Sequence, residues 1–73
     1  MAQTTNREMK MKIKNKISRE LEDLNIKIYN LEAFIGGDNK YGTLSKIQIS
    51  LLAVQLNAMT TYATCLYERL NNL

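Results

Sequence analysis

Apolar residues recur along the chain in two long, regular rows separated by one break. Ile17, Leu21, Leu24, Ile28, Leu31 and Ile35 follow a 4-3-4-3-4 spacing, and Ile13 and Met9 extend the row N-terminally at intervals of four. That rhythm keeps one face of an α-helix turned toward a neighbour. Ahead of it, Thr5 and Glu8 have the spacing of a capping box, in which the threonine hydroxyl accepts from the N3 amide. Gly36-Gly37 interrupts the pattern, and glycine can take the left-handed conformation that closes a helix. The spacing predicts a helix over 6–35, about 45 Å long at 1.5 Å per residue.

The residues that follow, Gly36-Gly37-Asp38-Asn39-Lys40-Tyr41-Gly42-Thr43, are turn formers and predict a loop over 36–45. Ser45 and Gln48 then form a second capping box, with Leu44 and Ile49 placed as a hydrophobic staple. Beyond them Ile49, Leu52, Leu56, Met59, Ala63, Leu66, Leu70 and Leu73 are spaced 3-4-3-4-3-4-3 and predict a helix over 46–71. The expected fold is all-α: a single domain over 1–73, folded as a two-helix antiparallel hairpin.

One hairpin does not cover all of this apolar surface. A second row on the second helix, Ile47, Leu51, Val54, Ala58, Tyr62 and Cys65, lies roughly 100–140° around from the first at 100° per residue. On the first helix Ile26, Tyr29 and Ala33 lie nearly opposite the main stripe. Rows left in water on a small protein mark an interface, so the hairpin is expected to assemble into a homo-oligomeric helical bundle through Ile47, Leu51, Val54, Ala58, Tyr62 and Cys65. Gln48 and Gln55, seven apart at the border between the rows, either fix register within that interface or edge it and touch water. Cys65 is read as a small apolar residue of its row rather than a reactive thiol. Met9, Met11 and Met59 are read as core or interface fillers.

Composition narrows the function. Seventy-three residues bury only about 60% of their unfolded surface when they fold alone, and small domains add a staple. One cysteine makes no intramolecular disulfide, and without histidine the usual zinc sets are out of reach. Association is the staple that remains. Nor can a histidine-based catalytic pair be built, and no glycine-rich phosphate loop is present. The carboxylates Glu20, Glu22, Asp23 and Glu32 read as a solvated helix surface, so the chain is expected not to be an enzyme and to need no cofactor. The polar, basic start does not read as a secretory signal, and a free cysteine fits a reducing compartment. From Ile47 to Tyr67 no residue is charged, but Gln48, Ser50, Gln55, Asn57, Thr60, Thr61 and Thr64 interrupt the stretch. It offers no run of about 18 apolar residues. A cytoplasmic protein without a membrane partner is the expectation.

The chain carries ten Lys and Arg against seven Asp and Glu, net +3, and this charge is uneven. Arg7, Lys10, Lys12, Lys14, Lys16 and Arg19 face Glu8 alone, while the remainder is net negative. Arg7, Lys10 and Lys14 share one edge of the apolar stripe; Lys12, Lys16 and Arg19 share the other. Cations in a first turn oppose the helix dipole at about 0.3–1 kcal/mol each, a cost that an anion would offset. Three readings stand: a solvated flank, a phosphate site in which amides and cations converge, and a surface for double-stranded nucleic acid or anionic membrane. The third is weakest, because the run is short and aromatics are not interleaved. Lys40, Tyr41 and Lys46, with Thr43 and Ser45, form a second candidate at the start of the second helix. Tyr41 there is placed to stack on a base or simply to pack on the hairpin end.

Leu31-Glu32-Ala33-Phe34-Ile35, then Leu51-Leu52, Gln55-Leu56, Ala58-Met59, Tyr62, Leu66 and Arg69-Leu70 resemble a family of small phage proteins of unknown function, typified by a crAss-like phage member. The likeness covers about residues 17–73, and Gln55, Tyr62 and Arg69 carry most of it. The lysine-dense start and glycine-rich loop depart from that pattern. In architecture the chain also resembles phage anti-CBASS and anti-Thoeris sponges, small helical oligomers that sequester cyclic nucleotide signals of host defence. That resemblance shares no residue motif and is an analogy of build. It implies sequestration of a cyclic di- or trinucleotide but carries over no binding position; the candidate ligand-binding residues Arg7, Lys10, Lys14, Lys40, Tyr41 and Lys46 come from the two charge clusters. A structural adaptor working through the apolar rows is the alternative, and nucleic-acid binding the third.

Overall fold

The computed structural model describes residues 5–37 and 40–73, the side chains of Lys40 and Tyr41 excepted. The chain forms α1 over Asn6–Gly36, a single helical turn α2 over Lys40–Thr43, and α3 over Lys46–Asn71. There is no strand among the described residues. The two long helices lie side by side as a hairpin with extents of 63 × 16 × 15 Å.

Both helix starts are set by the residues that the spacing marked. Thr5 sits in extended backbone, and its Oγ1 accepts from the Glu8 N–H at 3.1 Å. Ser45 does the same for α3, accepting from the Gln48 N–H at 3.2 Å. Each bond satisfies an amide that the helix itself leaves unpaired. At its far end α3 closes on Asn72, whose backbone N–H donates to the Arg69 carbonyl and whose side-chain amide donates to the Glu68 carbonyl at 2.8 Å.

The end of α1 differs from expectation. Gly36 is the last helical residue, and Gly37 leaves in extended backbone (φ −88°, ψ 165°), its N–H closing on the Phe34 carbonyl at 3.2 Å. No described residue has positive φ. The left-handed glycine cap is replaced by a tight closing bond, so α1 ends without needing glycine's special backbone. The expected loop over 36–45 also contains helix: Lys40–Thr43 winds into one turn, which pairs backbone groups locally in a short connection. Asp38 and Asn39 lie outside the described residues.

The core is a single seam. Ile17 and Leu24 from α1 and Leu66 from α3 are buried, with Leu21, Ile28, Met59, Ala63 and Leu70 packed against them. Leu31, Ile35, Ile49, Leu52 and Leu56 continue the seam half-buried toward the loop. Every one of these positions belongs to the two stripes. Met9 and Ile13 of the same row stay exposed, as does Leu73.

The second row on α3 faces outward. Ile47 is 70% exposed and Val54 63%, and Leu51, Ala58, Tyr62 and Cys65 are exposed with them. On α1, Ile26, Tyr29 and Ala33 are exposed too. By length and composition α3 is long and apolar enough to cross a membrane. The polar residues that break its apolar run are outweighed when hydropathy is averaged along the helix. One side of α3 is nevertheless committed to the seam with α1.

Leu66 is only 1% exposed, so truncating it removes fully buried apolar contact from the seam. Leu66→Ala is expected to cost about 2–5 kcal/mol, read by urea melts under circular dichroism at one fixed protein concentration. Gly36 is helical, and a Cβ there would meet nothing within 4 Å. Gly36→Ala should therefore stabilise by about 0.4–1 kcal/mol in the same melts.

Candidate anion-binding site

The antiparallel arrangement brings the basic start of α1 against the C-terminal end of α3. There Arg7, Lys10 and Lys14 line one groove of about 570 Å³, whose walls are completed by Asn6, Met11, Leu70 and Leu73. Three of the expected ligand-binding cations thus share a single concavity. The helical repeat explains it: residues 7 and 14 are two turns apart on one edge of the seam, and Lys10 sits between them. The leucines of α3 floor the groove and give the lysine stems an apolar surface to lie along.

Lys46 does not join them. It begins α3 at the loop end, a helix length of roughly 40 Å from the groove, and is exposed. The side chains of Lys40 and Tyr41 lie outside the described residues. Within one protomer the two candidate clusters are therefore separate, because antiparallel helices put the two N-termini at opposite ends of the rod.

A second groove, of about 360 Å³, lies further along the seam, with Asn25 and Glu32 of α1 facing Thr60, Thr64 and Tyr67 of α3 over Leu21, Ile28 and Ala63. The hydroxyls of Thr60 and Thr64 donate to the carbonyls of Leu56 and Thr60 at 2.9 and 3.0 Å. This groove was not marked from the sequence. Its signal is angular: at 100° per residue Arg7, Lys14, Asn25 and Glu32 fall within about 20° of one another on α1.

Across the seam, Lys16 lines a third groove with Ile13, Ile17, Glu20 and Arg69. Beside it the Tyr62 hydroxyl donates to Oε2 of Glu20, joining α3 to α1. Tyr62 was expected at an oligomer interface; it also makes this contact within the hairpin while remaining 46% exposed. No group of three metal-binding side chains gathers among the described residues.

The profile of the family described as Sequestin matches residues 11–72. The chain belongs to the Sequestin family. Curated proteins and solved structures yield no match. Lys14 and the whole of the second groove lie inside the stretch matched to Sequestin, whereas Arg7 and Lys10 precede it. Within this Sequestin chain the hairpin seam, the second apolar row and the Tyr62–Glu20 contact are likewise inside the matched residues.

The Tyr62 phenol is held above its ordinary value of 10.0, first by the hydrogen bond to Glu20, then by partial desolvation and by the negative charge of Glu20; Arg69 opposes the shift. An acid whose folded value is raised adds stability that is complete below the unfolded value and lost as pH rises through the folded one. Ultraviolet titration should show one tyrosine ionising above 10.0, with stability falling in that alkaline range. Glu20→Gln should bring that ionisation back toward the ordinary value.

Proposed function

We propose that this chain is a non-enzymatic, homo-oligomeric helical hairpin of phage origin that binds and sequesters a small anionic ligand, a cyclic di- or trinucleotide signal of host immunity. The family name denotes sequestering, which is compatible with a sponge-like role. The observation that carries the reading is the convergence of Arg7, Lys10 and Lys14 on one groove at the N-terminal end of α1. There three cations favour a phosphate, enough to outweigh the C-terminal end of α3, whose dipole opposes that of α1 beside it. The chain has no histidine to serve as a base, and binding without turnover asks only for complementary charge and shape.

Self-association is the second part of the proposal. The exposed row Ile47, Leu51, Val54, Ala58 and Cys65 runs the length of α3, and a packed neighbour is what such a row requires. Thr61 borders it, and its hydroxyl already donates to the Asn57 carbonyl at 2.9 Å. Covering this side therefore leaves no threonine proton unpaired. Symmetry would repeat the cationic groove around an axis and concentrate charge as a compact polyanion needs. The same exposed row also favours a rival reading, a helical adaptor that recruits a host or phage protein.

Titration calorimetry with a panel of cyclic di- and trinucleotides separates the two. Each surface charge contact with phosphate contributes about 1 kcal/mol in water-like surroundings, so reversing Arg7, Lys10 and Lys14 together should weaken binding on the order of a hundredfold. Assembly, followed by light scattering, should be unchanged. Absence of heat with every member of the panel, at concentrations where the oligomer persists, overturns the ligand reading. Leu51→Glu with Val54→Glu should shift the scattering mass to that of a lone chain; a wild-type protein already monomeric overturns the assembly.

A further inference from the structure

Further along the same side of the hairpin from the cationic groove lies a groove of opposite chemistry. Leu70 lines the first groove and Tyr67, one turn earlier on α3, lines the second. On α1, Lys14 and Asn25 lie on the same edge of the seam, about 16 Å apart along the axis. The two grooves open in succession along one side of the hairpin, as two parts of one candidate site.

Its two halves differ in what they offer a ligand. The first presents guanidinium and ammonium groups, which only donate. In the second, Thr60 and Thr64 have spent their protons on the Leu56 and Thr60 carbonyls, so each hydroxyl oxygen can only accept from a newcomer. Glu32 is likewise an acceptor, and Asn25 offers both a carbonyl and an amide. A phosphate is repelled there. Groups rich in donors, such as a base amine or ribose hydroxyls, are matched. Leu21, Ile28 and Ala63 give the groove an apolar floor, and the exposed Tyr67 ring supplies a face for a base.

We infer that the second groove is the nucleoside half of the binding site: it takes the base and ribose of a nucleotide whose phosphate lies among Arg7, Lys10 and Lys14, with Tyr67 stacking and Asn25 and Thr64 reading polar edges. This rests on the anion reading above and sharpens it. Two such grooves in succession suit a ligand with a charged end and a flat end, rather than a bare phosphate. It also moves the stacking role from Tyr41, the tyrosine singled out by its place in the loop, to Tyr67.

Two probes separate the halves: the cyclic nucleotide panel, and inorganic pyrophosphate as a ligand without a nucleoside. Tyr67→Ala is expected to weaken the nucleotides about tenfold or more, the scale of one base–aromatic stack, and to leave pyrophosphate unchanged. Tyr67→Phe should retain nucleotide affinity, because the ring and not the hydroxyl carries the contact. Asn25→Ala should act in the same direction as Tyr67→Ala, and circular dichroism of each variant confirms that the hairpin is intact. Charge reversal at Lys10 and Lys14 should weaken both probes. If the charge reversals abolish nucleotide binding while Tyr67→Ala and Asn25→Ala leave it untouched, the nucleoside groove is overturned and the phosphate site stands. If the wild-type protein binds neither probe, both readings fall.

Discussion

The hairpin depends on one line of contact, the seam where the stripes of α1 and α3 interlock around Ile17, Leu24 and Leu66. It is a single layer of side chains with no second shell behind it. Hydrophobic burial scales with the apolar area removed from water, and here that area comes from one side of each helix. Everything else follows from how the seam turns the two cylinders. It points the second α3 row outward, sets the cations along one edge, and leaves shallow grooves where side chains on either flank fail to meet.

Those grooves owe their character to which flank they occupy. On one side Arg7, Lys14, Asn25 and Glu32 follow one another along α1, so the surface passes from donors to acceptors along the seam. On the other, Glu20 receives the Tyr62 hydroxyl beside Lys16 and Arg69. A two-helix protein has no enclosed interior in which to hide a ligand. Its binding chemistry lies in the furrow between the rods, and a second copy packed on α3 would change how deep that furrow is.

Much of this arrangement is legible in the residues themselves. A seven-residue repeat marks a seam because the α-helix is so regular, and the half-buried positions of α3 coincide with its 3-4 spacing. Thr5 and Ser45 announce their caps because each stands just ahead of an apolar-periodic run with Glu8 or Gln48 three residues on. The connection is less legible. Gly37 leaves in ordinary extended backbone, and a four-residue turn forms where only loop residues were evident. Turn-forming residues permit many paths, and the path taken is set by where the seam places the two helix ends. The Tyr62–Glu20 contact and the acceptor groove were not legible either, since both require knowing which level of α1 stands opposite which level of α3.

That register has a consequence for the hairpin as a folding object. A repeat of seven is nearly degenerate: sliding α3 by one heptad seats its central seam residues against other apolar residues, about 10 Å from their present neighbours, with only the end of the row overhanging. Besides that overhanging end, what such a slipped form forfeits is polar. Tyr62 loses its carboxylate, and Leu70 and Leu73 withdraw from Lys10 and Lys14, erasing the furrow they floor. The discrimination between a competent and a silent isomer of this chain thus falls to groups at the margins of the seam, while the greasy centre is indifferent to the choice.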